Sequence, residues 1–132
     1  MNNPNNPCIF CSIRKNELIF ENNFAYASRD SYPVSKFHSL VVPKRCIKNY
    51  FELNDQEILA CNDLIKKLKQ KIISEDDTVK GFNIGTNSGK AAGQSVFHCH
   101  IHVIPRRDGD VENPQGGVRS VIPSKQHYIR KK

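Results

Sequence analysis

Residues 98–102 read His98-Cys99-His100-Ile101-His102 and run on into Val103-Ile104-Pro105. Side chains two apart on an extended strand share a face. A strand here would therefore line the three imidazoles along one side and turn Cys99, Ile101 and Val103 into a core. The residues around the histidines are mostly apolar or β-branched, which favours strand. Imidazole titrates near neutrality, so such a row suits nucleophilic, acid–base or metal chemistry. Three rings on one face pack no better than Val or Leu, and the mid-chain position argues against a tag.

The segment leading into this row is Gly89-Lys90-Ala91-Ala92-Gly93-Gln94-Ser95. A Walker loop needs Ser or Thr after its Lys, and Ala91 stands there. The pattern reads as a turn that sets backbone N–H groups, Gln94 and Ser95 beside the imidazoles, as donors for phosphoryl oxygens. A plain connecting loop is the alternative. Far upstream, Cys8 and Cys11 form a Cys-x-x-Cys pair, open between a redox pair and half of a zinc site. No βαβ pattern follows it, which weakens the redox reading. Five cysteines, an odd number, argue against a disulfide framework.

The elements that must position these groups are short. Leu18–Glu21 and Phe24–Ser28 read as a hairpin around Asn22-Asn23. Residues 39–43 read as a buried strand ending at Pro43, with His38 at its mouth. Asn54 is an N-cap, and Glu57 completes a capping-box pattern. Ile58, Cys61, Ile65, Leu68 and Ile72 then recur at helical spacing, widened by Leu64 and Ile73, so a helix is expected from Asn54 to about Ile73–Asp76. Gly81–Gly85 reads as one more strand. From about residue 106 the chain turns polar and irregular.

The length of 132 residues fits one domain over 8–132, preceded by a disordered Asn/Pro lead-in at 1–7. No apolar run is long enough to span a bilayer, and the amino terminus does not read as a signal peptide, so a cytoplasmic location is expected. The net charge of +7 favours anionic partners, nucleic acid or a small polyphosphate. The lysines at 66, 67, 69 and 71 read as a solvated helix face. Few aromatics interleave with the basic residues, which weighs against a dedicated nucleic-acid module.

With these blocks in hand, the chain resembles the histidine triad superfamily of nucleotide hydrolases and transferases. His98-Cys99-His100-Ile101-His102-Val103-Ile104 is similar to its signature, and Asp30 with His38-Ser39-Leu40-Val41-Val42-Pro43-Lys44 is similar to its second block. The polar tail around Asn113–Arg119 resembles the branch of dinucleoside polyphosphate hydrolases. The resemblance implies His100 as nucleophile on the α-phosphorus, His102 on the phosphate or bridging oxygen, and His38 completing the group. It implies Gln94 and Ser95 at the phosphate and leaving group, Asn83 on the phosphate side and Asp30 on the ribose. Ile9, Phe10 and Leu40 would line the base pocket, or serve as ordinary core. It further implies a structural zinc on Cys8, Cys11, Cys46 and His98, where Cys46 departs from the family's usual His, and Cys₃His is a closed tetrahedral set. Arg119 is a candidate for distal phosphates.

The expected fold is α+β: an antiparallel sheet of about five strands with one main helix packed on it. The resemblance further implies a homodimer that joins two sheets across that helix and a strand edge. The expected function is hydrolysis of a dinucleoside polyphosphate, such as diadenosine tetraphosphate, through a covalent nucleotidyl-His100, with no metal at the phosphorus. Phosphoramidate hydrolysis, nucleotidyl transfer and a non-catalytic nucleotide-binding protein are the rivals.

Overall fold

The computed structural model describes residues 8–131; the lead-in expected at 1–7 lies outside them. Five strands form one antiparallel sheet: β1 (Leu18–Glu21), β2 (Ala25–Arg29), β3 (Ser39–Pro43), β4 (Val79–Gly85) and β5 (Ile101–Arg107), in the order β1-β2-β3-β5-β4. The helix α1 (Asp55–Glu75) covers one face. Among the described residues no helix is long and apolar enough to cross a membrane.

Alternation along the strands divides the sheet into two faces. Ala25, Ala27, Val41, Ile101 and Val103 meet Cys61, Leu64, Leu68 and Ile72 of α1 in the main core. Tyr26, Leu40 and Val42 point the other way, against Phe10, Ile13 and Leu18. The small residues Ala25 and Ala27 let the helix approach the sheet closely, and that is why β2 is fully buried on this side.

The helix starts where the capping box places it. Asn54 accepts from Glu57 N–H at 2.9 Å, and Glu57 accepts from Asn54 N–H at 2.9 Å. The apolar line is turned from its expected course, however. Ile58 and Ile73 are 37% and 41% exposed, whereas Ala60 and the carboxylate-bearing Glu57 are buried. The reason is a charge pair: Arg45 donates to both Glu57 oxygens at 2.8 and 3.0 Å, so Glu57 can be buried while charged, and the helix face follows it. The arginine beside it holds the Glu57 carboxyl below its ordinary range. Asn22 ties the β1–β2 hairpin to α1 by donating to the Ala60 carbonyl at 3.0 Å.

The strand expected over 98–102 begins only at Ile101. Residues 98–100 leave the ladder because other groups take their bonds. Cys99 N–H donates to Ile47 O at 2.8 Å, Thr86 Oγ1 donates to His100 O at 2.7 Å, and the His98 ring reaches Pro43 O at 2.7 Å. After Arg107 the helical segments among the described residues are 3-10 turns at Val118–Val121 and Pro123–Lys125. Gly116, at φ +72°, lets that tail fold back, since a Cβ there would collide with the Gln126 carbonyl.

The rotated helix face makes a direct comparison possible. Leu68→Ala should lower unfolding free energy by about 3 kcal/mol, the cost of a cavity in a core, while Ile58→Ala should cost under about 1 kcal/mol. Urea denaturation of the two variants checks this; equal losses would contradict the observed packing.

Candidate active site

The site lies on the sheet face opposite α1, in a cleft of about 680 Å³. Its floor includes Leu40, His38, His100 and His102; Ile9, Phe10 and Ile13 form one wall, and the segment from Asp30 to Val34 forms another. Ser95, Gly93 and Asn87 close the third side.

Hydrogen bonds set the proton positions on the rings. His100 Nδ1 lies 2.8 Å from the His98 carbonyl, an acceptor, so Nδ1 carries the proton. The lone pair of His100 is then on Nε2, on a ring that lines the cleft. Phe10 packs at 4.8 Å against that ring and limits its swing.

A second chain of bonds holds His102. Val34 N–H donates to His38 Nδ1 at 3.1 Å, so neutral His38 carries its proton on Nε2. That Nε2–H faces His102 Nδ1 at 2.9 Å, with Asp30 Oδ2 at 3.3 Å. His102 therefore accepts at Nδ1 and keeps its own proton on Nε2. Burial lowers the affinity of His38 and of His102 for a second proton, opposed in both by the negative charge of Asp30. Both rings are thus held neutral, with fixed tautomers. Asp30 is itself oriented by Tyr32 N–H, which donates to Oδ1 at 2.8 Å.

His98 faces away from this chemistry. Its Nε2–H donates to Pro43 O at 2.7 Å, which leaves Nδ1 as a lone pair 3.2 Å from Cys8 Sγ and 3.3 Å from Cys11 Sγ. Cys46 joins them, and the four ligand atoms all lie within 4.8 Å of one another. A ring oriented by a carbonyl behind it, with its free nitrogen among thiols, is the arrangement of a metal-ligating histidine. Soft sulfur with one imidazole suits zinc over the hard cations. Asp30, His38 and His102 are also close enough to hold an ion. There the Val34 N–H commits the His38 Nε2 to a proton, so this trio is built to pass hydrogen bonds.

Most of the expected site residues come together. His38, His100, His102, Asp30, Ile9, Phe10, Leu40 and Ser95 all line the cleft, and Cys8, Cys11, Cys46 and His98 cluster behind it. Gln94 and Asn83 do not line it. The Gln94 side chain accepts from Gly89 N–H at 2.8 Å and donates to Lys48 O and to Val96 O, which braces the loop from within. Asn83 accepts from Arg106 at 2.6 Å and lies against Gly117 of the tail. Arg119 is engaged inside the tail, donating to Lys125 O at 2.8 Å and stacking on Tyr128. Sequence reasoning did not single out Ile13, Ser28 or Asn87, which line the cleft as well. For Ile13 the signal was its spacing three residues after Phe10; for Asn87, its place in the loop before the histidines.

Comparison with known proteins gives a consistent picture. A family model described as the HIT domain matches residues 13–109. An uncharacterised HIT-like protein of Methanocaldococcus jannaschii is 39% identical over 110 residues, covering 80% of this chain and 83% of that protein. An adenosine 5'-monophosphoramidase of Saccharomyces cerevisiae is 33% identical over 105 residues, covering 76% of this chain and 63% of that one. Among solved structures, a zinc-bound histidine triad family protein from Mycobacterium smegmatis superposes with a TM-score of 0.71 at 30% identity, over 80% of this chain and 79% of that one. With its triad, its sheet order and these likenesses taken together, the chain belongs to the HIT family.

Proposed function

We propose that this protein hydrolyses a nucleoside 5′-phosphate derivative at the α-phosphorus, with a dinucleoside polyphosphate such as diadenosine tetraphosphate as the favoured substrate. One observation carries the reading: the His98 carbonyl holds the proton of His100 on Nδ1 and so leaves the Nε2 lone pair for the cleft. A neutral imidazole nitrogen attacks phosphorus without first losing a proton. Attack forms an N–P bond and breaks the P–O bond to the rest of the substrate, a nucleoside polyphosphate that departs as an anion. Water then cleaves the N–P bond and returns His100. Two displacements at one fixed nitrogen need mainly positioning and charge stabilisation.

The remaining groups divide the work. His102 presents Nε2–H to a phosphoryl or bridging oxygen, and His38 fixes that tautomer from behind. The Ser95 hydroxyl supplies a further donor. Asp30 offers its remaining lone pairs to ribose hydroxyls, and Ile9, Phe10 and Leu40 take the base. Gln94 serves by holding the loop that carries Ser95, and Asn83 by seating the tail.

A second reading rests on relatives: proteins named adenosine 5'-monophosphoramidases from two yeasts are 33% and 35% identical. On a P–N substrate the leaving amine needs a proton, and the His102 Nε2–H is placed to give it. Both readings use the same nucleophile.

Zinc on Cys8, Cys11, Cys46 and His98 completes the proposal. When bound it supplies a structural cross-link among the amino-terminal segment, the turn after β3 and the first triad histidine, and takes no part in the phosphorus chemistry. A cytoplasmic location accords with these thiols. Residues 8–132 act as one domain, with an irregular tail from about 106. A second copy pairs along β4, an edge strand whose Ile84 is 49% exposed beside a groove floored by Ile65, Ile73 and Phe82.

Three measurements test these statements. Incubation with diadenosine polyphosphates and adenosine phosphoramidates, products resolved by chromatography, should show turnover of one class; His100→Asn should lose at least about 10³-fold in kcat while still binding AMP. Unchanged turnover in that variant would sink the mechanism. Metal analysis should find one zinc per chain, and Cys46→Ser should lower both zinc content and Tm. Light scattering should return twice the chain mass, falling to the chain mass in Ile84→Glu.

A further inference from the structure

The cleft floor contains a row of the sheet that crosses all five strands. Backbone pairing sets Leu18 opposite Ser28, Ser28 opposite Leu40, Leu40 opposite His102 and His102 opposite Gly85. Residues directly opposite share a face, and this face carries Phe10 and Ile13. Ser28 sits between two leucines in that row. It is 4% exposed and lines the cleft.

Six polar or charged residues are buried among the described ones: Ser28, His38, Ser39, Glu57, Gln94 and His98. Five of their side chains are hydrogen-bonded. Ser39, for example, accepts from Arg29 at 2.6 Å and donates to Phe37 O at 2.7 Å. The Ser28 hydroxyl makes no hydrogen bond to any described residue. Yet no sealed side-chain polar atom is left without a partner. The Ser28 hydroxyl therefore opens onto the cleft, and its hydrogen-bonding capacity is turned to whatever fills it.

We propose that Ser28 reads the polar edge of the nucleobase, a specificity-determining contact that rests on the nucleotide-hydrolase reading above. Two strand spacings separate Ser28 from His102, about 10 Å along the row. That span leaves room for a ribose between a phosphorus over His100 and a base over Ser28. Phe10, Ile13 and Leu40 supply the apolar contact for the ring, and apolar contact alone discriminates weakly between bases. Once a bound ligand covers it, a hydroxyl with no partner among the described residues favours a ligand that brings a matching donor or acceptor and disfavours one that does not. Serine can donate or accept, so it suits a purine with ring nitrogens and an exocyclic amine on the edge it faces.

Calorimetric binding of AMP and of benzimidazole riboside 5′-monophosphate tests this. The second ligand keeps the bicyclic shape and lacks the six-membered-ring nitrogens and the amine. The parent should prefer AMP, and Ser28→Ala should narrow that preference by about fivefold, the size of one neutral hydrogen bond. Ser28→Cys, close in size but a weak donor, should behave as Ser28→Ala does. In turnover assays the loss should fall on KM. The Tm of Ser28→Ala should stay within about 2 °C of the parent, since the hydroxyl has no partner to lose among the described residues. A preference for AMP retained in full by Ser28→Ala or by Ser28→Cys would overturn the proposal, as would a parent that binds both ligands alike. A parent that turns over no nucleotide but shows the Ser28-dependent preference would overturn the hydrolase reading and leave this contact standing.

Discussion

The arrangement of the site depends on a single residue that is itself outside the cleft. His98 is fully buried, with its ring between the Pro43 carbonyl and the sulfurs of Cys8 and Cys11. Its own carbonyl receives the Nδ1 proton of His100. One residue thus binds the last carbonyl of β3, turns a free ring nitrogen toward the thiols and selects the tautomer of the next histidine in the row. Any displacement of the His98 backbone would be felt two residues on as a change in where the His100 lone pair points. Pro43 suits its half of the contact, since its carbonyl accepts while its missing N–H asks for no further partner.

The rest of the fold holds that residue still. The two faces of the sheet carry different duties, and the alternation of side chains keeps them apart. Toward α1 the strands present Ala25, Ala27, Val41, Ile101 and Val103. Toward the cleft the same strands present Leu40, His102 and the smaller apolar cluster with Phe10. A one-residue slip of β5 against β3 would exchange His102 for Val103 in the cleft and put a polar ring into the core, so register is strongly specified. The loop between β4 and β5 is held by the Gln94 side chain, whose bonds reach the backbone of 48, 89 and 96.

Much of this was legible in the chain. The capping box of Asn54 and Glu57 and the strand at residues 39–43 follow from short-range spacing, and each has its counterpart in the structure. The histidine row does so only in part: the strand starts at Ile101, and His98 turns from the cleft toward Pro43 and the thiols, leaving His100 and His102 to line it. The less legible features involve partners far away in sequence. Ile58 and Ile73 belong to the same periodic stripe as Leu64 and Leu68. In the structure Glu57, paired with Arg45, takes a buried place on the helix while Ile58 and Ile73 face outward. Gln94 and Asn83 have side chains fit for a phosphate. Their use is set by Lys48 in one case and Arg106 in the other, neither of which any local pattern connects to them.

Residue types and spacing alone therefore determined the chemistry this protein can host: a row of imidazoles, a set of soft ligands and an apolar face to carry them. Types and local periodicities are properties of neighbouring residues, and they survive without a fold. Which nitrogen of each ring bears the proton was decided only in three dimensions, because that depends on carbonyls and amides at 34, 43 and 98 converging on the rings. The same holds for Ser28, an unremarkable residue of a short strand until cross-strand register sets it in line with Leu40 and His102.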